Sequence, residues 1–172
     1  MAENSKIEWT DHTFNPWWGC QEAGPGCDGC YARSMAERFH PKLKLWGPGS
    51  SRLVFTTGFG KGEEPDPKHW NAPLGWNKKA EREGVRRRVF CLSMGDWADN
   101  HPVAAEQREH LWPLIRRTPW LDWLLLTKRI GNAKAMLPAN WSDGYANVWL
   151  GATIVNQEEA DRDIPKLLAI PA

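Results

Sequence analysis

The chain has 172 residues, with 22 Lys and Arg against 21 Asp and Glu and a formal charge of +1. That balance argues against a strongly basic nucleic-acid coat and against an acidic disordered tail. Hydrophobic residues at 41% and charged residues at 25% suit one globular domain, and no run of roughly 18 apolar residues is present to cross a membrane.

Residues 1–30 read as an extended segment followed by a loop. Met1 to Lys6 leads into Ile7-Glu8-Trp9 without an apolar signal core, so the expected location is the cytoplasm. Phe14 marks a short first strand, and Gly19, Gly24, Pro25, Gly26 and Gly29 break regular structure after it. From Tyr31 to His40 the residues Tyr31, Ala32, Met35, Ala36 and Phe39 share one helical face, and Pro41 ends the helix. Residues 41–85 read as a loop-rich insertion, with loop signals at 47–51 and 61–67 and short helical turns near Trp70 and Trp76.

Order returns with Arg88 to Met94, a buried strand. A helix from His101-Pro102 to Arg117, kinked at Pro113, follows. Asp122 to Thr127 is a strand, Gly131 to Leu137 a short helix, Asn147 to Ile154 a strand and Gln157 to Ala169 a last helix. Strands alternating with helices at roughly 25 to 35 residues per unit predict an α/β fold with right-handed crossovers and a parallel sheet. Four βα units make about half of a (βα) barrel, since a full one takes about 250 residues. The expectation is a single partial-barrel domain over residues 1–172: a cysteine loop and first helix at 13–40, the insertion at 41–85, and three further units at 86–172. Such a half-barrel leaves a sheet edge open, so a C-terminal truncation, or else another copy or partner over that edge, is expected.

Two counts stand out: Trp occurs 12 times, and three of the four Cys fall together as Cys20, Cys27 and Cys30. In a reducing compartment clustered thiols point to metal ligation more than to disulfides. Thiolates select zinc, copper(I) or iron–sulfur clusters. The close Cys27–Cys30 spacing brings two sulfurs to one centre, the glycines allow a tight fold, and Cys30 opens a helix whose dipole favours negative charge. Structural zinc and iron–sulfur sites both want four ligands. Three Cys therefore mean an open iron–sulfur site with one position free, a zinc loop completed by His12, Asp28 or Cys91, or a role without metal.

The stretch from Phe14-Asn15-Pro16-Trp17-Trp18-Gly19-Cys20 to Gly24-Pro25-Gly26-Cys27-Asp28-Gly29-Cys30-Tyr31-Ala32 resembles the three-cysteine signature of the phage gene-product thirty-seven/sixty-eight-like family. That family is similar to radical S-adenosylmethionine enzymes. The resemblance continues through 68–77, 89–96, 121–129 and 149–157. It implies a protein encoded by a phage or prophage and made in a bacterial host. It also implies a 4Fe-4S cluster on Cys20, Cys27 and Cys30, with S-adenosylmethionine on the fourth iron. Reductive cleavage would then give a 5′-deoxyadenosyl radical that acts on an unknown substrate, with an electron donor such as flavodoxin or ferredoxin. One departure stands: six residues separate the first two Cys here, against three in the usual radical-enzyme loop.

Barrel sites lie at the C-terminal ends of strands. Those ends here carry Ser93, Gly95 and Asp96, then Thr127, Lys128 and Arg129, then Thr153 and Asn156. Ser93, Gly95, Asp96, Lys128, Thr153 and Asn156 are the candidates to bind the ribose, carboxylate or adenine of the cofactor. Cys91 reads as a buried small hydrophobe. Trp17 and Trp18 are candidates to exclude water beside the cluster. Lys78, Lys79, Arg82, Arg86, Arg87 and Arg88 form a basic stretch that is either a solvated face or a phosphate patch. Nucleic acid is one candidate substrate. The reading from a different class is a zinc-stabilised binding module with no catalytic role.

Overall fold

The computed structural model describes residues 2–56 and 65–172. Its main sheet has five strands: β1 (Ala2–Glu3), β2 (His12–Phe14), β5 (Arg87–Cys91), β6 (Leu121–Thr127) and β7 (Val148–Ala152). They lie in the order β1-β2-β5-β6-β7. The ladders β2–β5, β5–β6 and β6–β7 are parallel, and only the short β1 runs antiparallel to its neighbour. The protein is therefore mixed α/β with a mostly parallel sheet, as the alternation of apolar runs predicts. Phe14 lies opposite Cys91, Cys91 opposite Leu125, and Thr127 opposite Ala152. The chain leaves β5 earlier than its apolar run suggests: Leu92 takes a left-handed conformation at φ 63°, and Ser93 and Met94 turn away.

Three helices follow the sequence reading closely: α3 (Pro102–Arg116), α4 (Ile130–Met136) and α5 (Gln157–Leu168). The insertion does not. Its stretch 57–64, including the loop signal from Lys61 to Glu64, lies outside the described residues. Beyond it stands α2 (Pro67–Glu83), a single helix of 17 residues where only short turns near Trp70 and Trp76 are expected. Asp66 caps it by accepting from the Lys68 N–H at 2.9 Å, Pro67 occupies its first turn, and Gly84 closes it at φ 66°. His69, Trp70, Pro73, Trp76, Asn77 and Ala80 bury one face. Burial of two indoles on that face, at roughly 4–6 kcal/mol each, outweighs the hydrogen bond that Pro73 forfeits.

The crossover helix between β2 and β5 is accordingly α2, which contacts β5 and β6. The first helix, α1 (Tyr31–Phe39), belongs elsewhere. Its Ala32 and Ala36 are buried with Leu45 and Met94 in a second, smaller core. Tyr31, Met35 and Phe39, expected on the same buried face, are exposed. Trp18, Trp46 and Leu53 border this small core, and β3 (Trp17–Trp18) pairs antiparallel with β4 (Leu53–Val54) above it.

The main core joins the helix-facing side of the sheet to α2, α3 and α4. Phe14, Trp97, Trp123, Leu111 and Ile115 are fully buried in it. The Trp123 indole donates to Thr118 Oγ1 at 3.0 Å, so its one polar atom is satisfied. His69 lies between Phe55, stacked at 4.1 Å between centroids, and Phe14 at 5.0 Å, while its Nε2–H donates to the Asn15 carbonyl. Burial lowers its pKa from 6.5 to about 4. The unfolded chain therefore takes this proton first as pH falls. The stabilisation from a neutral His69 is complete above pH 6.5 and is lost as pH falls toward 4. Urea unfolding should show the protein about 2 kcal/mol less stable at pH 5 than at pH 8, and His69→Phe should flatten most of that slope. An unchanged slope in the variant would place the titration elsewhere, His12 being next in line because burial lowers its pKa as well.

Candidate functional site

A cavity of about 280 Å³ opens at the C-terminal ends of β5, β6 and β7. Cys20, Cys27 and Cys30 all line it, together with Ser93, Gly95, Asp96, Thr127, Lys128, Arg129 and Thr153. Eight of the nine expected site residues thus border one space; Asn156 is the exception.

Each thiol is placed by its own local frame. Cys20 follows Gly19, whose φ of 115° no side chain adopts comfortably, and where a Cβ would stand 2.8 Å from the carbonyl oxygens of Leu45 and Ser51. The Gly19 N–H donates to Met94 O, the Cys20 N–H to Leu45 O, and the Gly47 N–H back to Cys20 O. The chain is thereby pinned between the β5 turn and the segment before β4. Cys27 ends a 3₁₀ turn, Pro25–Cys27, and its Sγ accepts from the Ala23 N–H at 3.3 Å. Cys30 is the N-cap of α1. Gly26 presses this loop onto the strand ends: a Cβ there would lie 3.4 Å from Thr153 Cγ2 and 3.5 Å from Lys128 Cε.

Cys20 is buried, which pushes its thiol pKa up, against the pull of the Arg129 guanidinium. Arg129 donates to Cys20 Sγ at 3.3 Å, to Asp96 Oδ2 at 3.1 Å and to the Gln21 carbonyl. Asp96 in turn accepts from the Thr127 hydroxyl at 2.6 Å and from the N–H groups of Lys128 and Ala98, each at 2.9 Å. Ser93 exchanges hydrogen bonds with the Asn15 amide, whose Oδ1 also takes the Met94 N–H at 2.8 Å.

These bonds revise several expected roles. Asp96 borders the cavity, but its oxygens hold the β6 end and Arg129, so it is a scaffold residue more than a free ligand group. Asn156 is not in the lining at all: its Oδ1 caps α5 by accepting from the Glu159 N–H at 2.8 Å. Gly95 is needed for close approach, since a Cβ there would meet Trp17 Nε1 and Leu92 at 3.1 Å. Trp17 and Trp18 are not in the cavity lining, and the aromatic rings that are there belong to Trp9, Trp46, Tyr31 and Phe90. Arg129 and Asn15 are the site residues that the expected set leaves out.

None of the fourth ligands considered for zinc is in this lining. Cys91 is fully buried in β5, where loss of solvent pushes its thiol far up. His12 stacks on Trp76 at 4.4 Å, its Nδ1 accepts from the Asn4 N–H, and it faces a different cavity. Asp28 is absent from the lining. Among the described residues, no three His, Cys, Asp or Glu side chains are close enough as they stand to hold one ion. The basic stretch is largely spent on ion pairs: Arg86 clasps Asp122, and Arg87 meets Glu83 at 2.9 Å. Among the described residues no helix is long and apolar enough to cross a membrane.

A family model described as a protein of unknown function (DUF5131) matches residues 4–172. The chain belongs to the DUF5131 family. No curated protein and no solved structure matches it. The cavity of this DUF5131 chain thus lies wholly within the stretch that defines the family, the three thiols and Arg129 included.

Proposed function

We propose that the chain is a radical S-adenosylmethionine-like iron–sulfur protein, with Cys20, Cys27 and Cys30 as the ligands of a 4Fe-4S cluster and the adjoining cavity as the place of S-adenosylmethionine. The observation that carries this reading is that all three thiols border one space at the strand ends. The donor set fits the group. A cluster has volume and each of three irons takes one thiolate, so sulfurs around a shared space suit it. Donors already aim at two of the sulfurs, from Arg129 and from the Ala23 N–H. Hydrogen bonds of this kind tune such clusters. The carboxylate in the cavity lining, Asp96, is held by its own chain, which leaves the fourth position to a small molecule.

When bound, such a cluster would supply the one electron that splits S-adenosylmethionine into methionine and a 5′-deoxyadenosyl radical. The chain's own residues orient and shield. Lys128, Ser93 and Thr153 border the cavity where a carboxylate or ribose would lie, and Trp9, Trp46 and Phe90 exclude water from it. An electron donor such as flavodoxin or ferredoxin is required, and nucleic acid is one candidate substrate. A cytoplasmic location in a bacterial host, with the gene carried by a phage or prophage, belongs to the same reading.

The partial-barrel reading has its own support. The parallel strands β2, β5, β6 and β7 follow one another in spatial order without reversing. Right-handed crossovers in one direction put their helices on one face, as in a barrel wall, whereas a doubly wound sheet reverses. Leu126 and Trp149 remain exposed on their strands.

Anaerobic reconstitution with iron and sulfide tests the function. The expected product is a brown protein whose reduced form gives a paramagnetic signal that changes on adding S-adenosylmethionine. A colourless protein that instead retains one tight zinc would refute it and favour the binding module.

A further inference from the structure

The geometry points to Arg129 as the positioning residue for Cys20: its guanidinium fastens that thiol and the start of the cysteine loop to the end of β6, and it places one fixed positive charge against the cluster. The inference rests on the iron–sulfur reading for its charge effect but not for the clamp itself.

Arg129 stands just past the end of β6, after Lys128, at the N-cap of α4. Its backbone N–H donates to Thr127 Oγ1 at 2.8 Å, and the same hydroxyl donates to Asp96 Oδ1. Asp96 thus ties together Thr127, Lys128 and the Arg129 guanidinium, and its side chain is only 6% exposed. Held from behind in this way, the planar fork has little freedom left. It reaches across 109 residues of sequence to Cys20 Sγ and reaches Gln21 O as well. Cys27 and Cys30 ride on another frame, the 3₁₀ turn and the start of α1. The fork therefore fixes the sulfur of one frame against the sheet that carries the cavity. Among the described residues it is also the charged group in hydrogen-bond contact with a thiol of the three. A cluster with three thiolates is anionic, and a cation held beside it at low exposure favours the reduced, more negative state.

The test compares Arg129→Met and Arg129→Lys with the parent. After reconstitution, Arg129→Met should carry severalfold less iron per chain, and its cluster should have a more negative midpoint potential. Arg129→Lys keeps the charge and should recover most of the potential, with a smaller recovery in iron content because an ammonium cannot span Sγ, Asp96 and Gln21 O together. A potential and iron content equal to the parent in Arg129→Met would overturn the inference while leaving the cluster in place. If the parent itself takes up no cluster, the function reading falls and the clamp is judged on the metal-free protein. There a Glu-specific protease should cut after Glu22 about tenfold faster in Arg129→Met, with cutting after Glu106 in α3 unchanged as the control for global unfolding. Equal rates at Glu22 would sink the clamp. A rise at both sites would show general destabilisation and sink it too.

Discussion

Replacing Cys20, Cys27 or Cys30 by Ala should each leave the protein colourless after anaerobic reconstitution, whereas Cys91→Ala should take up iron and sulfide as the parent does. The contrast follows from placement. The three thiols border one cavity, and two of them already accept hydrogen bonds, from Arg129 and from the Ala23 N–H. Cys91 lies in β5 opposite Phe14 on one side and Leu125 on the other, with no solvent contact. Its thiol is held neutral by burial, and ligation demands a thiolate. Losing its sulfur leaves a small void in the main core and should lower stability by about 1–2 kcal/mol. Losing the half-exposed Cys27 or Cys30 should barely move the urea midpoint. Iron content and stability therefore move in opposite order across Cys27, Cys30 and Cys91, while the buried Cys20 should lose both. A cluster retained in any one of the three, or lost in Cys91→Ala, would overturn the ligand assignment.

Much of this arrangement is legible in the sequence because it is local. Apolar runs such as Leu124-Leu125-Leu126 have one solution in a parallel sheet, and the closeness of Cys27 to Cys30 fixes a common neighbourhood whatever the fold. The helix α2 is hidden because Pro73 and Gly75 look like breakers. Yet the spacing of Trp70, Pro73, Trp76 and Ala80 is helical, and Asp66, Pro67 and Gly84 are an ordinary start and stop. Asn156 is misjudged for a similar reason. A polar residue after a strand serves a ligand or a helix equally well, and the glutamate three positions on is the mark of the second. Glu159 does return the contact, accepting from the Val155 N–H at 3.0 Å. The exposed side of α1 is a different failure: periodicity says which residues share a face, not how much of that face a small second core can cover. The strand-end rule marks Arg129 only as one polar residue among several, since its contacts depend on Cys20 and Asp96 arriving from distant parts of the chain.

Arg52→Met should destabilise the protein by about 3–5 kcal/mol, because it breaks a buried ion pair by removing one partner. Arg52 and Asp99 are each 2% exposed and meet at 2.6 Å, an ion pair cut off from water. Its Nη1 donates to the Ser50 hydroxyl at 2.8 Å and to the carbonyls of Ser50 and Ser51. Asp99 also accepts from the His101 N–H, and its carbonyl takes Arg108 at 2.6 Å. Removing the cation strands a buried carboxylate, and that penalty, not the lost attraction, sets the size of the effect. Arg52→Met combined with Asp99→Leu removes both charges and should recover most of the loss. Urea unfolding of the two variants checks this, and a double variant no better than the single would mean that the ladder to Ser50 matters more than charge. The site should feel the change as well. Ser50 donates to Cys20 O at 3.2 Å, and the same segment supplies the Leu45 carbonyl that takes the Cys20 N–H. A chain that loosens at Arg52 loses the backbone support of Cys20, so iron uptake should fall in the single variant and return in the double, in step with stability.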